Sequence, residues 1–141
     1  MRVYFDTSAL VAAIVSEEVH HEHAADALSE ASDGFTCNHA LSEVFATLTG
    51  GRLSLQLSPA EATEVIEANL VNHLEIVDLT LADYRRAIAQ CQTVGARGGA
   101  IFDMLHLQAA RRGKARQIFT INVRHFQAFA PDLKDLILLP A

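Results

Sequence analysis

Short apolar runs alternate with longer amphipathic runs along the chain. The short runs are rich in β-branched and aromatic residues, which favours buried strands, and the longer runs repeat their apolar positions at helical spacing. The predicted strands are residues 3–5, 35–37, 74–79, 117–121 and 136–139. The predicted helices are residues 9–15, 20–31, 38–48, 80–94, 100–112 and 123–129, with one more that opens at Ser58 and carries Leu70. This alternation predicts an α/β fold, with helices on both faces of a mainly parallel sheet of four to five strands.

Local signals mark where several helices begin. Thr7 and Ser8 are N-cap residue types in front of the first apolar run, and Ser58 and Thr80 each open a capping-box pattern. Residues 52–57 alternate leucine with other residues, which is typical of an edge strand or of an apolar loop over the core. A length of 141 residues without repeats predicts one domain, residues 1–141.

Three acids follow strands or open helices in this pattern. Asp6 comes directly after the first strand, Glu43 lies about one turn into the helix at 38–48, and Asp103 is in the first turn of the helix at 100–112. Ligands of α/β proteins bind outside the carboxyl ends of the strands, which makes Asp6 the strongest candidate for an active site. Spacing alone leaves open whether the three side chains meet, since an acid in a first helical turn also complements the helix dipole.

The net charge of −6 conceals a basic block in the second half of the chain. Within residues 85–124 the one acid is Asp103, and the cations are Arg85, Arg86, Arg97, Arg111, Arg112, Lys114, Arg116 and Arg124. Such a block favours contact with a phosphate backbone, because neutralised phosphates release counterions. Cations in the last turn of a helix, such as Arg111 and Arg112, are also ordinary partners of the helix dipole.

Other features narrow the class of protein. Cys37 and Cys91 are far apart in apolar patterns, which predicts buried free thiols and, with no apparent signal peptide or membrane-spanning run, a cytoplasmic protein. The glycine-rich residues 95–99 match neither the P-loop nor the dinucleotide-binding pattern, which counts against nucleotide-cofactor chemistry.

Histidines suggest competing metal sites. His20 and His23 are one helical turn apart and could share an ion, but an exposed helix start explains them better, since no third ligand at fixed spacing is apparent. His39 precedes Glu43 by four residues, and His106 follows Asp103 by three, as in a carboxylate–histidine dimetal site. Such sites need a bundle of long helices, so His106 is better interpreted as a core or hydrogen-bonded residue.

Four segments carry a family resemblance in the same order. V-Y-F-D-T-S-A-L, A-L-S-E-V, I-F-D-M-L-H-L-Q-A-A and I-F-T-I-N-V-R-H-F resemble the motifs of PIN-domain nucleases, most closely the small VapC-type toxins of toxin–antitoxin pairs. Each motif is weak alone, but together they span essentially the whole chain. The resemblance implies a three-layer α/β/α sandwich.

The resemblance also implies a site and a reaction. Asp6, Glu43 and Asp103 would be ligands of Mg²⁺ or Mn²⁺ for hydrolysis of RNA phosphodiester bonds. Where many members have a fourth acid this chain has Asn122, and His125 stands where a related subset carries an acid, which puts a second tightly held metal in doubt. The further candidates, as supporting or phosphate-contacting residues, are Thr7, Ser8, Thr120, His125, Arg97 and Arg124.

The function expected from these features is a metal-dependent endoribonuclease that acts as a toxin. The expected partners are RNA, a cognate antitoxin and a second copy of the chain, the last two at Leu53, Leu55, Leu57 and the helix from Ser58. A catalytically weakened RNA- or protein-binding module is the alternative. Phosphoryl transfer through an aspartyl-phosphate at Asp6 is disfavoured, since Ser8 stands where a second acid is usual.

Overall fold

The computed structural model describes residues 1–51, 53 and 56–141. Across these residues the chain forms five strands and seven α-helices. The strands are β1 (Arg2–Phe5), β2 (Asp33–Cys37), β3 (Glu75–Val77), β4 (Gln117–Phe119) and β5 (Ile137–Leu138). The helices are α1 (Thr7–Ile14), α2 (His21–Glu30), α3 (Asn38–Thr49), α4 (Pro59–Ile66), α5 (Leu81–Val94), α6 (Ala100–Arg112) and α7 (Val123–Phe129).

The sheet has the order β3-β2-β1-β4-β5, and every strand pair in it is parallel. β1 is central, with Tyr4 in register with Phe35 on one side and Ile118 on the other. The predicted α/β/α sandwich with a parallel sheet is confirmed. Because the strands run the same way, the residues that follow β1, β2 and β4 meet at one edge of the sheet.

The core lies on both sides of β1. Tyr4, Phe5, Phe35, Ile118 and Phe126 are at most 1% exposed. Complete burial of such a side chain stabilises a fold by about 1.5–3 kcal/mol.

The end of α6 approaches the core closely. A Cβ atom at Gly113 would lie 2.2 Å from the Phe35 ring, so only glycine fits there. Gly113 therefore does more than end the helix that the sequence predicts, because it lets α6 pack against β2.

The helix predicted from Ser58 differs from the pattern in its second half. Its capping box between Ser58 and Glu61 is present, but after Ile66 the chain continues as a π-helical turn, Glu67–Val71. Leu70 is still buried, so the apolar positions that predict an α-helix are satisfied by this wider turn. A 3-10 helix, Pro131–Leu136, likewise replaces the start of the last predicted strand.

The predicted segment 52–57 is only partly described. Arg52, Ser54 and Leu55 lie outside the described residues, whereas Leu53 and Leu57 are half-buried and pack against the core. Cys37 is buried as predicted, and Cys91 is half-buried. Among the described residues, no helix is both long enough and apolar enough for a transmembrane span.

Candidate active site

Asp6 lies at the turn from β1 into α1 and is 2% exposed. Its Oδ1 accepts hydrogen bonds from Ala9 N at 2.8 Å and Ser8 Oγ at 2.7 Å, and its Oδ2 accepts one from Thr120 Oγ1 at 2.6 Å. Asp6 is thus itself the N-cap of α1, the role that the sequence predicts for Thr7 or Ser8. The N-cap differs from the predicted one because Asp6 follows the strand directly and its carboxylate also accepts an N–H from the first turn of the helix.

Burial raises the pKa of Asp6, because a charged carboxylate loses water there. The charge of His106 and the hydrogen bonds from Thr120, Ala9 and Ser8 act in the opposite direction. These donors favour the ionised carboxylate over the neutral acid. The candidate supporting residues Ser8 and Thr120 therefore orient Asp6 directly.

Glu43, on α3, is held through one oxygen. Its Oε1 accepts hydrogen bonds from Thr7 Oγ1 at 3.1 Å, His39 Nδ1 at 3.0 Å and His106 Nε2 at 2.9 Å. Burial alone would raise the pKa of Glu43, but the bonds from His106 and His39 outweigh burial and lower it. Among the described residues no donor contacts Oε2, so no hydrogen bond within the protein occupies this oxygen.

His106, on α6, links Glu43 to the core. The ring is 2% exposed, and its Nδ1 lies 2.6 Å from Tyr4 Oη, which donates to Cys37 Sγ at 3.4 Å. Burial disfavours the charged ring, but the contacts with Cys37 and Glu43 and the charge of Asp6 outweigh burial and raise the pKa of His106 to about 10. The sequence predicts a hydrogen-bonded core histidine here, but not its bond to Glu43, which depends on how α3 and α6 pack.

Asp103 is half-buried in the first turn of α6. Among the described residues it accepts no side-chain or backbone hydrogen bond from a donor outside its helix. Burial raises its pKa, and so do the charges of Asp6 and Glu43, although His106 and His125 oppose them. Asp103 is therefore the least compensated of the three acids.

An open pocket of about 290 Å³ lies at this edge of the sheet. It is lined by Asp6, Thr7, Ser8, Val11, Glu18, Thr47, Asp103, His106, Ile121 and Asn122. Glu43 reaches it through Thr7 and His106. Glu18 and Thr47 line the pocket but are not predicted to do so. Thr47 follows Glu43 by four residues on α3, and this helical spacing could have indicated it.

The remaining candidate site residues do not line the pocket around Asp6. Arg124 and His125 line a neighbouring pocket with His20. Arg97 is exposed in the loop before α6 and lines neither pocket. The dimetal alternative fails on geometry, because His39 and His106 both contact Glu43 rather than one acid each.

Three carboxylates and the Asn122 amide supply oxygen donors, which are the ligands that Mg²⁺ and Mn²⁺ prefer. In the described part of the chain no three His, Cys, Asp or Glu side chains are already arranged around one metal position. The donor chemistry nevertheless fits a divalent cation. Among the described residues, Asp103 and Glu43 Oε2 have no side-chain donor, and the charges of Asp6 and Glu43 disfavour ionisation of Asp103. A cation would relieve that repulsion.

Several solved structures share the fold, and two of them are described in turn. One is the VapC20 toxin of Mycobacterium tuberculosis, described as cleaving the Sarcin-Ricin loop, with a TM-score of 0.72 and 16% identity over 92% of this chain and 94% of that chain. The other is a chain of VapBC2 from Rickettsia felis bound to a DNA fragment from their promoter, with a TM-score of 0.64 and 17% identity over 90% of this chain and 92% of that chain.

Curated protein sequences give no match to the chain. The model of the PIN domain family, in contrast, matches residues 3–130. That range contains β1 to β4 and every acid that borders the pocket. Because this match covers most of the chain, the chain belongs to the PIN domain family.

Proposed function

We propose that this protein is a metal-dependent endoribonuclease and the toxin of a toxin–antitoxin pair. One observation carries the proposal: Asp6, Asp103 and Asn122 border a single open pocket at the carboxyl edge of the sheet, and Glu43 is bonded to two other residues of its wall. The family match and the fold shared with VapC20 support nuclease chemistry at this pocket.

Asp6, Glu43 and Asp103 would hold Mg²⁺ or Mn²⁺. The ion, when bound, supplies a Lewis acid that polarises the scissile phosphate and lowers the pKa of water for in-line attack. The protein contributes orientation and charge. Ser8 and Thr120 fix Asp6, and the His106 imidazolium fixes Glu43.

Asn122 takes the place of a fourth acid. It lines the pocket, and its backbone N–H donates to Thr120 Oγ1 at 3.0 Å, which ties it to the oxygen that holds Asp6. An amide carries no charge, so it would position water or phosphate by hydrogen bonding and leave three acids to balance the metal charge.

Metal dependence is the first prediction. Purified protein is expected to cut a mixed-sequence RNA in Mg²⁺ or Mn²⁺, to lose all activity in EDTA, and to regain it with excess Mn²⁺. Cleavage that persists in EDTA would contradict the proposal, and so would cleavage that is unchanged in Asp6→Asn. RNA binding without turnover under every metal condition would instead favour the catalytically weakened binding module.

The proposed partner surface is an apolar groove of about 190 Å³ between the ends of α1, α3 and α4. Its apolar lining is Ile14, Val15, Leu48, Leu53, Leu57 and Val65. An amphipathic antitoxin segment could bury these side chains, as helices do in hydrophobic grooves. Leu55, which belongs to the predicted partner surface, lies outside the described residues.

Leu57→Asp is expected to weaken binding of the cognate antitoxin by at least about tenfold, because a charge is buried without a partner. Ile88→Asp is the matched control, since Ile88 is 58% exposed on α5, away from the groove. Affinity is measured by titration calorimetry and mass by light scattering. A loss of dimer in Leu57→Asp would assign the groove to a second copy; unchanged affinity and mass would exclude both partners there.

A further inference from the structure

A second pocket, of about 370 Å³, adjoins the acidic pocket, which is the pocket lined by Asp6 and Asp103. Ile121 and Asn122 line both pockets, so the two are contiguous. The second pocket brings together residues from separate parts of the chain: His20 before α2, Arg124 and His125 on α7, and Leu139 after β5. Its chemistry is opposite to that of its neighbour, because Arg124 and two imidazoles replace the carboxylates.

We propose that this second pocket, the flanking subsite, binds the nucleotide next to the scissile phosphate. Arg124, His125 and His20 hold the phosphate and base of a single-stranded RNA there. The inference rests on the proposed function, since it assigns a role within the same RNA-binding surface.

Electrostatics give the first argument. The carboxylates around the acidic pocket repel an RNA backbone, so the flanking nucleotides need cationic partners close by. Among the described residues Arg124 forms no ion pair, whereas Arg2, Arg111 and Arg112 each pair with an acid. Arg124 and His125 are both exposed at the mouth of the flanking subsite, so their N–H donors are available to phosphate oxygens.

The composition of the flanking subsite gives the second argument. Ile121, Val123 and Leu139 form an apolar wall, and Leu139 is 39% exposed. The imidazoles of His20 and His125 add flat rings on which an unpaired base can stack. A volume of 370 Å³ lies near the lower end of the ~300–1,000 Å³ range of small-ligand pockets, which suits one nucleotide rather than a duplex.

The flanking subsite also accounts for the histidine segment at the start of α2. His21 Nδ1 donates to Ala12 O at 2.8 Å, and the His23 side chain is exposed. His20 instead lines the flanking subsite together with Arg124 and His125. The inference therefore gives His20 a role in substrate binding.

The test measures binding separately from cleavage. A 5′-fluorescein-labelled, mixed-sequence, 12-nucleotide RNA is titrated by fluorescence anisotropy at several salt concentrations, with Asp103→Asn as the common background so that the RNA stays intact. Added to this background are Arg124→Gln, His125→Gln or His20→Gln. The matched control is Arg116→Gln, an exposed arginine that forms no ion pair among the described residues and precedes β4 at the opposite edge of the sheet.

Arg124→Gln is expected to weaken binding by about five- to tenfold and to reduce the slope of log Kd against log salt by about 0.7, the value for one phosphate contact on a single strand. His125→Gln and His20→Gln are expected to weaken binding without that change in slope, because they remove stacking. Arg116→Gln leaves affinity and slope unchanged. Equal slopes in Arg124→Gln and Arg116→Gln would overturn the inference.

Cleavage by the same variants in the otherwise wild-type protein separates this inference from the proposed function. A raised KM with retained kcat in Arg124→Gln supports the flanking subsite. Cleavage with unchanged KM and unchanged salt slope rejects the subsite and leaves the nuclease proposal intact. An altered salt slope in a protein that cuts no RNA under any metal condition rejects the nuclease and retains the subsite as an RNA-binding surface.

Discussion

Asp103→Asn is expected to lower RNA cleavage by about 10³-fold and, in EDTA, to raise the melting temperature of the protein. The loss of activity corresponds to about 4 kcal/mol of barrier. It results from removal of a proposed metal ligand. The gain in stability has a separate cause. Burial and then the charges of Asp6 and Glu43 raise the pKa of Asp103 in the folded protein, and a neutral amide avoids both the burial of a charge and that repulsion.

The matched control for this prediction is Asp135→Asn. Asp135 is an exposed aspartate of the 3-10 helix, and it forms no ion pair among the described residues. It should change neither cleavage nor melting temperature. Cleavage assays and thermal melts with and without Mg²⁺ decide the outcome; a lower melting temperature for Asp103→Asn in EDTA would show that repulsion among the acids is not what limits stability.

Opposite changes in activity and stability are typical of functional sites, where like charges are kept close for binding a cation. Added Mg²⁺ should therefore stabilise the wild-type protein more than Asp103→Asn. The difference between the two melting temperatures should narrow as the Mg²⁺ concentration rises, because ligand binding stabilises the folded state by mass action.

His106→Ala is expected to destabilise the protein by about 3–5 kcal/mol at neutral pH. The substitution removes the buried partner of the half-buried Glu43, leaves the buried hydroxyl of Tyr4 without its contact to the ring, and opens a cavity in the core. His23→Ala is the control, because His23 is exposed on α2 and should change stability by less than about 0.5 kcal/mol. Urea unfolding provides the measurement.

The charge on His106 is tested by the pH dependence of the difference in unfolding free energy between the wild-type protein and His106→Ala. Its folded-state pKa of about 10 is above the unfolded value of 6.5, so its stabilising contribution is fully present below pH 6.5 and is lost as pH rises through 10. The stability of the wild-type protein should therefore fall toward that of His106→Ala between these values. Parallel pH curves for the two proteins would contradict a charged His106.

Two of the acids can be predicted from local signals in the sequence. Asp6 and Asp103 are predicted because each lies next to a recognisable junction, after a strand or in a first helical turn, and such junctions depend on near neighbours in sequence. The parallel order of the sheet is predicted by the alternation of elements. Residues that are remote in sequence but pair in space, such as Tyr4 with His106, leave no local signal.

The parts of the site that the sequence does not predict depend on how helices cross. Glu43 is bonded to histidines from its own helix and from α6, and only the first of these bonds is expected from helical spacing. Glu18 reaches the pocket from a polar loop after α1, where its residue type indicates only exposure. The π-helical turn after α4 keeps Leu70 buried, so its apolar pattern is indistinguishable from that of an α-helix.

The hydrogen bond between Thr120 and Asp6 joins residues 114 positions apart. β1 also has β4 as one of its two neighbours, so the central strand is incompletely paired until the last quarter of the chain is available. During synthesis from the N-terminus, Asp6 emerges early but acquires its Thr120 donor only after β4 has left the ribosome. Order of synthesis thus delays assembly of the site, and a ribosome-bound nascent chain that lacks β4 holds the acids without the geometry that the folded protein gives them.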